Sequence, residues 1–398
     1  MEGRLESKVL IREFDEDKDF KIVEKLEKNC EIGTKKGVSI FTNMVGDPLS
    51  RIRFYPLHVT LVAEILETKE LVGVVRGCIK SMGTPSESFF KMGCILGLRV
   101  SPSHRRKGVA LKLVTSVEEW MLRNGAEYAS LATEKNNDAS INLFTIKCNY
   151  VNLSSLFIFV HPIPTSTPIV HISRDIKIEK VNIDQAISLY RRTLKSKELY
   201  LLDMDVILKE KLSLGTWVSY FKDEDKLNLM KMVDNENTII TNETSSSSWV
   251  MFSIWNTCEA YKLQLKKSQP LRFLHTTLNH AREKIFPCLR MSLSESLCNP
   301  FGFLFLYGLH GEGENLGELM ESIWRFTSRL GESMKDCRVV ITELGFGDPL
   351  TKYVPQTDSM SCMDDLWYSK KLSSQIGEKD EVLVKGQVGN VFVDPRDF

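Results

Sequence analysis

The feature that most constrains this chain is the loop Val100-Ser-Pro-Ser-His-Arg-Arg-Lys-Gly-Val-Ala110, lodged between a strand and an amphipathic helix. Residues 93–100 are rich in β-formers, and Pro102, with no N–H to give to a ladder, ends the strand. Residues 108–123 put Ala110, Leu113, Val114, Val117 and Met121 on one helical face, and Asn124-Gly125 stops that helix. Three cations, Arg105, Arg106 and Lys107, precede a glycine at the helix mouth. Gly108 lets a bound group approach the backbone, and the N–H groups of Val109 and Ala110 have no intrahelical partners. An anion there gains hydrogen bonds, plus about 0.3–1 kcal/mol from the helix dipole at an exposed site. A doubly charged pyrophosphate suits such a nest. On the loop alone, a solvated basic turn at the head of an ordinary βα unit reads equally well.

The rest of the chain places this loop inside a mixed α/β pattern. Strands are predicted at 9–14, 59–66, 71–79, 93–100, 128–134 and 153–160, with helices at 19–26, 108–123 and 138–147. The stiff segment His161-Pro-Ile-Pro-Thr-Ser-Thr-Pro168 marks a boundary. Beyond it the order recurs. A strand at 176–181 and a helix at 184–194 repeat the opening, and 249–255 with 260–265 predict a hairpin. A strand at 301–309 then runs into His310-Gly-Glu-Gly-Glu-Asn-Leu-Gly317, a helix bearing Leu319, Ile323, Phe326 and Leu330, and a strand at 338–344. The expectation is an internal duplication, with units at 1–165 and 166–398 and an insertion near 222–248 that is charged and ends in four serines. A chance repeat of a common α/β order is the alternative.

Composition excludes several classes. The 52 basic and 52 acidic residues cancel, so no global charge draws the chain to nucleic acid or membrane. The N-terminal residues are charged and read as no signal peptide, and no apolar run approaches the roughly 20 residues that span a bilayer. Nine cysteines form no Cys-x-x-Cys pair, which points to reduced thiols in cytosol or nucleus and to no metal site. Neither a phosphate-binding Gly-x-x-x-x-Gly-Lys-Ser/Thr nor a dinucleotide Gly-x-Gly-x-x-Gly is present.

Arg105-x-x-Gly108-x-Ala110, with Leu98-Arg-Val100 before it, resembles the phosphate loop of the GNAT superfamily of N-acetyltransferases. The later run Asn137-Asp-Ala-Ser-Ile-Asn-Leu-Phe144, followed by Lys147-Cys-Asn-Tyr150, resembles that family's second signature helix. The wording Gly46-Asp-Pro-x-x-Arg-Ile-Arg53, Arg76-Gly-Cys-Ile-Lys80, Leu96-Gly-Leu-Arg-Val-Ser-Pro-x-His-Arg-Arg106 and Ile341-Thr-Glu-Leu344 is similar to the plant Hookless group of probable N-acetyltransferases. The resemblance implies a mostly antiparallel sheet flanked by helices, in tandem with a degenerate second copy. It also implies acetyl-CoA as cosubstrate, an amine acceptor such as a histone or other nuclear protein, and a nuclear regulator of hormone-dependent growth.

Carried over residue by residue, the likeness implies a strand that splays so that Leu98, Arg99 and Val100 receive pantetheine. Backbone from Arg106 through Lys107, Gly108 and Val109 to Ala110 would cradle the pyrophosphate, and Asn137, Ser140 and Phe144 would lie along the pantetheine arm. A lysine-type amine has a pKa near ~10.4 and must shed a proton before attack. Glu134, at a strand end where the gap opens, is the first candidate base and Glu64 the second. Where many members carry a tyrosine acid, this chain has Phe144, which donates no proton; Cys148 beside it reads as a buried thiol. In the second copy Glu314-x-x-Gly317, with Glu312 before it, stands in place of Arg105-x-x-Gly108, so no CoA is expected there. His310 reads as an isolated loop histidine. Two functions stay open: an N-acetyltransferase, or a non-catalytic acetyl-CoA-binding regulator.

Overall fold

The computed structural model describes residues 8–28, 30, 38–44, 49–163, 175–222, 248–267, 299–356, 361–373 and 387–398. The first half runs β1 (Val9–Glu13), α1 (Glu16–Lys28), β2 (Val38–Met44), β3 (His58–Ile65), β4 (Leu71–Gly83), β5 (Phe89–Val100), α2 (Val109–Arg123), β6 (Tyr128–Glu134), α3 (Asp138–Asn142) and β7 (Val151–Pro162). The second runs β8 (Ile176–Val181), α4 (Ile183–Thr193), β9 (Tyr200–Leu201), α5 (Met204–Lys209), β10 (Ser213–Phe221), β11 (Trp249–Asn256), β12 (Tyr261–Lys267), β13 (Gly302–Glu312), α6 (Leu316–Glu332), β14 (Cys337–Gly345) and β15 (Ser361–Lys371).

One large sheet carries the order β1-β3-β4-β5-β6-β15-β7-β14-β13-β11-β10-β8, with β9 attached to β4. Pairing is antiparallel except at β5–β6 and β13–β14. Read inward from either edge the sheet repeats itself, and at its centre the halves exchange their last strands. β15 lies against β6, and β7 lies against β14.

Helices cover both faces. α2 buries Val109, Leu113, Val114, Val117 and Met121 on one face, where glycines let it sit close. A Cβ at Gly77 would come within 2.5 Å of Val117, and one at Gly93 within 2.4 Å of Met121 Sδ. α6 packs Leu319, Met320 and Ile323 on the same face of the other half. On the opposite face α1 sets Val23 and Leu26 against Val62 and Val74. There α4, started by an Asn182–Gln185 capping box, buries Leu189 and Tyr190.

The mixed, mostly antiparallel sheet matches the sequence reading, and three details change. The hairpin expected from 249–255 and 260–265 does not form: β11 lies between β10 and β13, while β12 leaves the main sheet to pair with β2. The helix expected at 138–147 is a short α-turn followed by a π-helical stretch at 143–147. β7 continues through His161 and Pro162 into the expected boundary, whose residues 164–168 lie outside the described chain, as do Gly46–Asp47–Pro48 and most of the insertion, 223–247.

Strand exchange makes a testable demand. A protein ended at residue 165 lacks β15 and presents the β6 edge bare. Size-exclusion chromatography of that fragment should show aggregate, because an exposed central edge recruits other chains. A monodisperse fragment would contradict this.

Candidate functional site

β5 and β6 start as parallel neighbours and then part. Their ladder covers Met92–Ile95 against Tyr128–Leu131 and stops, although β5 continues to Val100 and β6 to Glu134. The cause lies in β5. Its register against β4 shifts between Val74 and Arg76, and Gly97 takes φ +59° at that bulge. Glycine is required twice over: the left-handed backbone disfavours a side chain, and a Cβ would meet Arg76 Nη1 at 2.8 Å. Arg76 is itself held by Glu27 at 2.6 Å. Beyond the bulge Leu96, Leu98, Arg99 and Val100 are half-buried and no longer bonded to β6.

The gap opens toward the basic loop. Gly108 is the N-cap of α2 with φ +77°, no side chain caps that end, and a Cβ there would meet nothing within 4 Å. Arg106 is also left-handed at φ 63°. Arg105, Arg106 and Lys107 are exposed, and none forms an ion pair with a carboxylate among the described residues. Arg105 Nε donates to the Val100 carbonyl at 3.4 Å, tying the loop to the strand end. Free first-turn amides, unneutralised cations and an open approach together suit a phosphate.

Glu134 ends β6 on the face that α1 covers. Crowding by protein atoms pushes its carboxyl above the usual range, and Arg99 across the gap pulls the other way. Arg99 donates to the Leu98 carbonyl and has no acid partner within ion-pair distance among the described residues. Asn137 caps α3 by accepting from the Ser140 N–H at 3.2 Å, so these two expected contact residues sit just past Glu134. Phe144 is buried edge-on to Tyr150, with centroids 5.3 Å apart. Cys148 is buried too, and desolvation raises its thiol. Glu64 is elsewhere: it ion-pairs with Arg12 (2.8 Å) and Lys69 (3.2 Å) at the β1–β3 edge, three strands from the gap, and is no candidate base.

The second half repeats the parting and then fills it. β13 and β14 pair only as far as Leu306 and Thr342, and Gly308 bulges at φ +63° just as Gly97 does. Tyr190 occupies the space over Gly308, and residues 391–393 narrow what remains to a small cavity lined also by Tyr307–Leu309 and Thr342–Leu344. The helix mouth is closed as well: Ser248 Oγ accepts from the N–H groups of Glu314 and Asn315, both at 3.1 Å. Gly317 lies inside α6, so the left-handed glycine of this loop is Gly313, φ +102°, not Gly317 as sequence spacing suggested. His310 is a strand residue bonded to Glu312 at 3.2 Å rather than an isolated loop histidine.

The family model described as "Acetyltransferase (GNAT) family" matches residues 41–150. The Arabidopsis thaliana protein "Probable N-acetyltransferase HLS1-like" is 34% identical over 98% of this chain and 99% of its own. The chain belongs to the GNAT acetyltransferase family. "Probable N-acetyltransferase HLS1" of the same plant is also 34% identical, over 98% of this chain and all of its own length. "Acetyl transferase GW6a" of Oryza sativa subsp. japonica is 29% identical over 98% of this chain and 97% of its own. In fold, this GNAT protein is similar to Saccharomyces cerevisiae N-myristoyltransferase with bound myristoyl-CoA: TM-score 0.51 at 12% identity, over 92% of this chain and 79% of that one.

Sequence reasoning pointed to the loop and to Glu134 and offered nothing on the strands of the second half that lie beside Glu134. Asp365 on β15 is the register partner of Glu134, and Glu343 on β14 lies on the same sheet face across β7. Residues 394–397 fix the floor. Lys80 Nζ reaches Asp397 at 2.7 Å and Asp394 at 2.9 Å, and Tyr55 donates to Asp397. Arg396 grips Asp394 and Asp203, both at 2.9 Å. No spacing in the sequence links residues some 230–340 positions apart.

Proposed function

We propose that this protein transfers an acetyl group from acetyl-CoA to an amine, with residues 1–165 holding the cosubstrate and 166–398 shaping the acceptor side. The observation that carries the reading is the gap between β5 and β6, which runs from Glu134 to an uncapped helix mouth ringed by exposed cations. The contact set is that of Leu98, Arg99 and Val100 for the pantetheine arm and Arg105 to Ala110 for the phosphates. The yeast neighbour holds a CoA thioester, which supports the same use of this fold. Aimed backbone donors stabilise the developing oxyanion, a contribution worth about 3–4 kcal/mol in well-studied hydrolases. We take a lysine of a histone or other nuclear protein as the acceptor, with the nucleus and the control of plant growth as the setting.

Calorimetric titration tests the cosubstrate. Arg105→Ala should weaken acetyl-CoA binding at least tenfold with unfolding temperature little changed, because the side chain is exposed, and Gly108→Asp should weaken it at least as much with a modest loss of stability, because φ +77° disfavours a side chain. Equal affinity in both variants would remove the loop from the site. One observation favours a second reading, a regulator that binds acetyl-CoA without turnover: the family's tyrosine acid is replaced by buried Phe144. Binding without free-thiol release across histone peptides and small amines would decide for it. A CoA thiolate of pKa about 8.5 leaves tolerably without an acid, which keeps transfer the leading reading.

A further inference from the structure

Three carboxylates gather near the centre of the sheet, on the face away from α2 and α6. Glu134 on β6 faces Asp365 on β15, and Glu343 on β14 lies one row over, across Ile158 of β7 from Met363, two residues along β15 from Asp365. Directly opposed residues have Cβ atoms about 4.5–5.5 Å apart, so Glu134 and Asp365 meet directly or across one water. Asp365 is 8% exposed and Glu343 5%, and each carboxyl lies within the other's electrostatic reach. Two buried carboxylates at one site disfavour double ionisation, and neither offers the other a donor while both are ionised. Glu343 Oε1 finds no donor elsewhere among the described residues. A proton held by one of the two relieves their repulsion.

The surroundings favour an exchangeable proton over an ion pair. Facing the pair are Glu134 from β6, the Leu366 N–H and Trp367 indole from β15, apolar Leu156 and Ile158 from β7, and Asp397 from the C-terminal segment. Asp397 is already held by Lys80 and Tyr55, and no described cation forms an ion pair with Asp365 or Glu343. Burial pushes Asp365 up to about 7 and holds Glu343 well above the usual carboxylate range, with the charge of Asp365 adding to the rise in Glu343.

We propose that Asp365 and Glu343 act as a proton-accepting pair for the acceptor amine, reached through Glu134. This rests on the transferase reading above. The ammonium gives one proton to Glu134, which passes it to the pair, so that one shared proton becomes two. The neutral amine attacks the thioester carbonyl; the C–N bond forms and the C–S bond breaks. The second nitrogen proton goes to the departing sulfur. On product release the pair returns its extra proton to water, and each turnover yields amide, CoA thiol and one proton. β14 and β15 belong to the second half, which thereby joins the chemistry without holding a cosubstrate.

Two variants and two readouts test it. In native protein the pH profile of kcat/KM should show an ionisation near neutrality that Asp365→Asn and Glu343→Gln each remove or displace, with acetyl-CoA affinity within about twofold. Infrared spectroscopy of substrate-free protein should show a protonated-carboxyl band that titrates near pH 7 and that each variant removes or shifts to a different pH. A profile that neither variant changes, or the lack of any titrating band in native protein, overturns the proposal. The band is read without turnover. Its presence with no acetylation of any amine supports the shared proton and overturns the transferase reading on which the transfer step depends.

Discussion

Glu134→Gln should lower turnover by about 10²–10⁴-fold while acetyl-CoA binds as before, the range expected for removal of a positioned general base. The side chain ends β6 where that strand has left β5, and Arg99 stands across the opening. It touches neither the loop at Arg105–Gly108 nor α2, so cosubstrate affinity has no reason to change. Glutamine keeps the size and polarity and removes only the ability to take a proton. Steady-state assay of thiol release together with calorimetry gives both quantities from one preparation. Unchanged turnover would remove Glu134 from the chemistry. A parallel loss of affinity would recast it as a binding residue.

Arg396→Ala should cost about 3–5 kcal/mol of folding stability, the loss typical of a buried ion pair stripped of one partner. The arginine is 1% exposed, bonds Asp394 and Asp203, and lies 4.6 Å over the Tyr55 ring. Its removal leaves Asp394 with Lys80 alone, which already serves Asp397. Urea unfolding should show a lower midpoint with an unchanged slope; a midpoint shift worth less than about 1 kcal/mol would contradict the assignment. The sign with pH follows from Asp394. Burial opposes its ionisation, but Arg396 and Lys80 outweigh that and hold its carboxyl below the ordinary range. Its contribution is therefore complete above the unfolded aspartate pKa of about 3.9 and is lost as pH falls toward the depressed native value. Arg396→Ala should shrink that acid-side loss.

The first half was legible because its signals are local. Apolar spacing gave α2, Pro102 and Gly108 gave the loop, and the end of β6 gave Glu134. What escaped depends on register and distance. β15 reads as polar, with Asp364, Asp365, Lys370 and Lys371 along it, yet it is a central strand because two other strands claim it from opposite sides. β10 hides behind Gly215 and the buried hydroxyls of Thr216 and Ser219, which break the apolar alternation. The expected hairpin failed for a related reason: proximity in sequence favours β11 with β12, but β11 finds longer partners in β10 and β13. Glu64 stood second to Glu134 as a candidate strand carboxylate, and only the sheet order shows it near the edge, on β3 rather than on a strand of the gap.

The segment that fills the gap between β13 and β14 is tethered rather than dissolved. Val388 bonds to Leu153, Gly389 to Gly347 and Phe392 to Leu199, so the segment is stitched to three separate parts of the molecule. A tethered group faces its site at an effective concentration of order millimolar for short connections, whatever the amount of protein present. Dilution cannot empty that gap, and any free thioester would have to outcompete a neighbour that never diffuses away. The number of open gaps per chain is thus fixed by covalent connectivity, before the supply of cosubstrate has any say.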